Sequence, residues 1–119
     1  MFIVLLVIGE LKAEISNGCY GAGDRGGIIS KTTDGIESVA SYLKKYNFLF
    51  LAGNDISYVD FIFYEQLELL DFIWEGNLFN QWPILLTYHQ RVHSIKEISE
   101  YRSKHANLPF NNKHAKLNK

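Results

Sequence analysis

The sequence predicts an all-α protein: a helical bundle behind an irregular, glycine-rich N-terminal segment. Three observations predict it. From Gly35 onward the apolar residues recur three and four apart, which is the period of an α-helix. The stretch "AGNDISYVDF", residues 52 to 61, holds a helix-start signal in front of the most apolar helix of the chain. And no later stretch carries the strand pattern that a parallel sheet would need.

The first residues, "MFIVLLVIG", carry an apolar run from Phe2 to Ile8. A helix of that length spans roughly 10 Å against about 30 Å of hydrocarbon, so it cannot cross a bilayer. It lacks a Lys or Arg before the run, and Glu10 and Lys12 follow at once, which argues against a secretory leader. A buried helix or strand fragment is the favoured reading. Seven of the nine glycines then fall within the first 35 residues, so residues 16 to 35 read as a loop. Within them "GAGDRG" fits G-x-G-x-x-G, but no strand leads into it, and a plain glycine loop is the better reading than a dinucleotide site. Residues 1–34 are therefore set apart from a helical domain at 35–119.

"IESVASYLKKY" opens that domain, with Ile36, Val39, Ala40 and Leu43 on one face and Lys44 and Lys45 in the last turn, where they suit the helix dipole. "NFLFLAGN" is an apolar connector ending in a Gly-Asn turn. Ser57 and Asp60 then stand three apart as a capping box, Asp replacing the commoner Glu, while Ile56 and Phe61 hold the positions of a hydrophobic staple. The helix behind them runs to about Trp74 and is apolar on nearly every face, so it should be surrounded by other helices. A buried helix end cannot leave its free amides to water and needs such caps. A third helix starts near Pro83, with Leu85, Tyr88 and Val92 inward. A fourth is expected near Ser94, three before Glu97, with Ile95, Ile98 and Tyr101 inward. A polar, lysine-rich tail follows Lys104.

Composition limits the function. At 119 residues, 47% hydrophobic and 21% charged, the chain is an ordinary globular domain and not a disordered one. A net charge of -1 supplies no field for nucleic acid. One cysteine, Cys19, permits no internal disulfide and suits a reducing compartment.

Residues 52 to 119 resemble the C-terminal domain of the cytosolic glutathione transferases, the mu class most of all. "AGNDISYVDFIFYEQLELLDFI" resembles the family's capping-box helix. "QWPILLTYHQRVHSIKEISEY" is similar to the stretch opening its next helix, with departures at Trp82 and Ile84. "PFNNKHAKLNK" resembles mu-class endings, and Cys19-Tyr20 resembles a Cys-Tyr pair that the class places at nearly the same distance before its Ala-Gly. The resemblance implies an enzyme that joins the glutathione thiol to apolar electrophiles, with glutathione as co-substrate and no resident cofactor. It implies substrate-pocket roles for Tyr20, whose hydroxyl would assist the reaction, and for Phe110, Asn111 and Asn112 in the tail. No stretch resembles the family's thioredoxin-like, glutathione-binding domain, so the chain alone is expected to be inactive. The expected partners are apolar electrophilic small molecules and a second copy in a homodimer, with no nucleic acid and no membrane. A cytoplasmic location goes with that reading. The alternative is a non-catalytic helical interaction module.

Other candidates carry blander readings. His89 and His93, four apart, lack a third metal ligand and read as solvated histidines. Glu65, Glu68, Asp71 and Glu75 read as a solvated or salt-bridged helix flank rather than an acid–base pair.

Overall fold

Val4, Ile8, Leu11, Ile15 and Cys19 recur at helical spacing and are all buried, and this stripe docks the first helix onto the rest of the chain. In the computed structural model, which describes residues 2–21, 23–46, 49–104 and 116–117, the order is α1 (Phe2–Tyr20), α2 (Arg25–Tyr46), α3 (Tyr58–Ile73), α4 (Leu78–Gln81), α5 (Pro83–His93) and α6 (Lys96–Lys104). The described residues are helical, apart from turns and one isolated bridge between Phe50 and Gly53. None of these helices is long and apolar enough to cross a membrane.

The irregular glycine-rich N-terminal segment is corrected here. Residues 16–35 are not a loop: α1 reaches Tyr20 and α2 begins at Arg25, with only a short turn between. The boundary expected at residue 35 falls inside α2. The physical reason is close packing. A Cβ on Gly18 would lie 2.3 Å from Cγ1 of Ile28, so only glycine lets the two backbones approach there. Gly35 likewise faces Leu11, so α1 and α2 run antiparallel as a hairpin. The turn closes with the Gly23 amide bonded to the Gly18 carbonyl at 2.9 Å, Gly23 taking φ 68°.

From α2, Ile28, Thr32, Ile36, Val39, Ala40 and Leu43 face inward. Thr32 is fully buried, and its hydroxyl is satisfied by the Ile28 carbonyl at 2.7 Å. The α3 helix lies against both α1 and α2, with Phe63, Leu67, Leu70 and Ile73 buried. Its Gln66 Nε2 donates to the Ile8 carbonyl of α1 at 3.0 Å. After α3 the chain turns through Glu75 and Gly76, both at positive φ. Pro83 opens α5 as expected, and Leu85, Tyr88 and Val92 are its buried face. The last helix differs from expectation. Ser94 ends α5 and donates its hydroxyl to the Arg91 carbonyl at 2.7 Å, so it does not cap α6, which starts at Lys96. Of the inner face foreseen for α6, Ile98 is buried, Ile95 is half-buried and Tyr101 is exposed.

Replacing Gly18 by Val forces a side chain into Ile28. Overpacking of this kind costs about 1–3 kcal/mol. Urea unfolding of Gly18→Val should show a midpoint shifted down with an unchanged slope; an unshifted midpoint would mean that α1 and α2 can separate freely at this point.

Candidate functional site

Asp60, in the first turn of α3, is fully buried and gathers four donors. Its Oδ2 accepts from the Ser57 amide at 2.9 Å and the Ser57 hydroxyl at 3.0 Å, within a reciprocal capping box. Its Oδ1 accepts from the Leu51 amide at 2.8 Å and the Tyr88 hydroxyl at 2.7 Å. One carboxylate thus joins the connector, the start of α3 and the middle of α5. Burial, together with the Asp60 charge, pushes the Tyr88 hydroxyl far above its ordinary value, so it stays a donor. The apolar part of the start signal is looser: Ile56 is 42% exposed, and Phe61 sets its ring edge-on to Tyr101 at 5.6 Å. This cluster positions helices.

At the far end of α1, Tyr20 is the last helical residue and is 39% exposed. Beside it the carbonyl of Cys19 accepts from two backbone amides of the tail, Lys116 at 2.8 Å and Leu117 at 3.1 Å. The Leu117 side chain is buried, and a Cβ on Gly23 would lie 2.8 Å from Cβ of Lys116. The chain therefore returns after α6 and is clipped onto the α1–α2 turn. Phe110, Asn111 and Asn112 lie outside the described residues.

A third group lies between α3, α5 and α6. Tyr64 stacks on His89 with ring centroids 4.5 Å apart, and its hydroxyl pairs with Nδ1 of His93 at 2.6 Å. Glu68 takes a bidentate pair from Arg102, Nη2 to Oε2 at 2.5 Å and Nε to Oε1 at 3.0 Å, with His89 Nε2 at 3.7 Å. Burial alone would raise the Glu68 carboxyl, but His89 and the Arg102 guanidinium pull it down to about 2. Burial, with the Glu68 charge next, raises the Tyr64 hydroxyl far above its ordinary value. A cleft of about 450 Å³ opens beside this group, with Phe72 and Phe79 among its walls. Among the described residues no group of three or more His, Cys, Asp or Glu is placed to hold a metal ion.

Residues 28–105 match the family model described as "Glutathione S-transferase, C-terminal domain". The chain belongs to that family. A relative in Caenorhabditis elegans, described as "Glutathione S-transferase P 10", is 26% identical over 86 residues. The match covers 71% of this chain and 40% of that relative, so the chain spans well under half its length. No solved structure matches.

Within this family member, the residues singled out from sequence separate. Ile56, Ser57, Asp60 and Phe61 lie together at the start of α3. Tyr20 stands apart from them, at the α1–α2 turn with the end of the tail. The acidic series reads as foreseen for a salt-bridged flank: Glu68 pairs with Arg102, Glu75 with Arg25 at 3.5 Å, and Asp71 accepts the Leu78 amide at 3.3 Å. His93 is exposed as expected, though its Nδ1 pairs with Tyr64, whereas His89 departs from the solvated reading. His89 is half-buried in a ring stack, and its Nε2 is sealed from water. The missed signal was the matching four-residue step of Tyr64 and Glu68 on α3 with His89 and His93 on α5, which lets two helices interleave rings.

Two outcomes test these clusters. Tyr88→Phe removes one donor to a buried carboxylate and should cost about 1.5–3 kcal/mol, and Asp60→Ala, stranding three elements, should cost more. A double-mutant cycle in urea should show the two losses strongly non-additive. For Glu68, the folded carboxyl titrates below its unfolded value of about 4.3, so its stabilisation is complete above that pH and disappears as pH falls toward about 2. Glu68→Gln should be less stable at pH 7, and should lose less than the parent between those two pH values when followed by circular dichroism.

Proposed function

We propose that this chain is the helical, electrophile-facing part of a mu-class-like glutathione transferase. In the complete architecture a separate domain binds glutathione and activates its thiol. The bundle adds an apolar wall that holds the electrophile near the thiolate and excludes water. The observation that carries the reading is the clip of Lys116 and Leu117 on the Cys19 carbonyl. It brings the end of the tail beside Tyr20, so that residues from two distant parts of the sequence converge at one end of the bundle. Tyr20 there offers a hydroxyl to an oxyanion developing on the electrophile, a contact that strengthens only in the transition state. Phe110, Asn111 and Asn112 would add to the wall from the tail. The partners are apolar electrophiles and a second copy in a homodimer, and the setting is the cytoplasm.

One observation favours a second reading, as a helical interaction module. Leu5 and Leu6 of α1 are 44% and 53% exposed, an apolar pair that gains from being covered.

The 119-residue chain alone should give no glutathione-dependent conjugation above background, because no stretch of its sequence resembles the family's glutathione-binding domain. Joined to a thioredoxin-like glutathione-binding domain of the family, it should conjugate apolar electrophiles. In that enzyme Tyr20→Phe should lower kcat about tenfold for electrophiles that develop an oxyanion, which is about 1.4 kcal/mol, and leave the KM for glutathione unchanged. An unchanged kcat would remove Tyr20 from the pocket. Absence of conjugation in the joined protein would favour the interaction module.

A further inference from the structure

We propose that the cleft between α3, α4 and α5 is a binding site for small aromatic cations, such as aryl amidines or protonated aryl amines, and that Arg25 occupies it as a displaceable internal plug. The cleft holds about 450 Å³, the size of a small-ligand pocket. Its walls include Phe72, Phe79 and the His89 ring, the last two 5.6 Å apart between centroids. Among the described residues its charged lining is Arg25, Glu68, Asp71 and Glu75. Glu68 is neutralised by the bidentate Arg102, which leaves Asp71 and Glu75 against the single guanidinium of Arg25. An entering anion meets that surplus of carboxylate, whereas a cation is attracted by it.

The cleft already holds one planar cation. Arg25 lies with its guanidinium carbon 5.0 Å from the centroid of Phe72, and its Nη1 is 3.5 Å from Glu75. An aromatic face together with a carboxylate is the arrangement that recognises a delocalised cation. Arg25 is also an imperfect occupant. Its Nε is buried without a hydrogen-bond partner, and its ion pair is partly exposed, which makes it a weak tether. It reaches the cleft from the first turn of α2, a separate helix, so it can swing out without breaking α3 or α5. A free aryl cation would take the Phe72 face and Glu75, and would lay its own ring against Phe79 and His89. The inference does not rest on the transferase reading, since neither Tyr20 nor Leu117 lines this cleft.

The test is a calorimetric and NMR titration of the full chain with benzamidine, and with benzoate as the probe of the same shape and opposite charge. Benzamidine should bind saturably, with shifts confined to the resonances of Phe72, Phe79 and His89, and benzoate should not. Arg25→Ala should tighten benzamidine about threefold or more by removing the competing guanidinium, and Glu75→Gln should weaken it by a similar factor. Circular dichroism checks that both variants keep their helix. If Arg25→Ala fails to fold, the parent and Glu75→Gln carry the comparison. Equal binding of benzoate and benzamidine would overturn the proposal, and so would the lack of saturable benzamidine binding in every folded form.

Discussion

The buried carboxylate of Asp60 is the constraint on which the rest of the bundle depends. A charge with no exposed surface is tolerated only when donors replace its water, and Asp60 has them from three elements. Each donor also fixes something. The Ser57 amide and hydroxyl fix where α3 begins. The Leu51 amide fixes the connector, whose carbonyl is held from the other side by the Tyr42 hydroxyl at 2.8 Å. The Tyr88 hydroxyl fixes the rotation of α5, and with it the inward turn of Leu85 and Val92. Polar satisfaction here selects one packing among the several that a set of apolar helices would otherwise permit.

The α-class of the fold, the start of α3 and the inner face of α5 were legible because each is written locally. A capping box lies within four residues, a first-turn proline marks its own position, and helical period shows in a single window. The hairpin of α1 and α2 was not legible for the opposite reason. Its glycines weaken a helix when seen alone, and only the approach of Ile28 to Gly18 and of Leu11 to Gly35 turns them into packing residues. The buried stripe from Val4 to Cys19 was present in the sequence at helical spacing, but the glycine count set the start of a loop at residue 16, inside it. Ser94 shows the same limit at smaller scale. Ser and Glu three apart suit a capping box, yet the end of α5 claims the serine first.

The candidate site divides along the same line. Tyr20 could be singled out by resemblance, but its setting depends on a contact between residues about a hundred apart in sequence, Cys19 with Lys116 and Leu117. No window on the sequence holds such a pair. The Tyr64, Glu68, His89 and His93 group failed for a related reason: each half reads as a polar helix face until the two helices are laid together. Paired with Arg102, Glu68 then becomes a half-buried anchor that ties α6 to α3.

The α1–α2 turn joins these parts. On one side of it Tyr20 and Cys19 meet the tail, and Gly23 supplies the close approach to Lys116. On the other side Arg25 enters the aromatic cleft and pairs with Glu75. Tyr20 and Arg25 are five residues apart, so a path of at most about 18 Å separates their backbones. Among the described residues the turn is tied by the Gly21 amide to Asn17, the Gly23 amide to Gly18 and the Ile28 amide to Asp24. It is also gripped from outside, by the tail on one flank and the Phe72–Glu75 wall on the other. A change in either grip acts on the same short stretch of backbone, and this is why glycine at position 23, free to hold φ 68° without strain, stands at its centre.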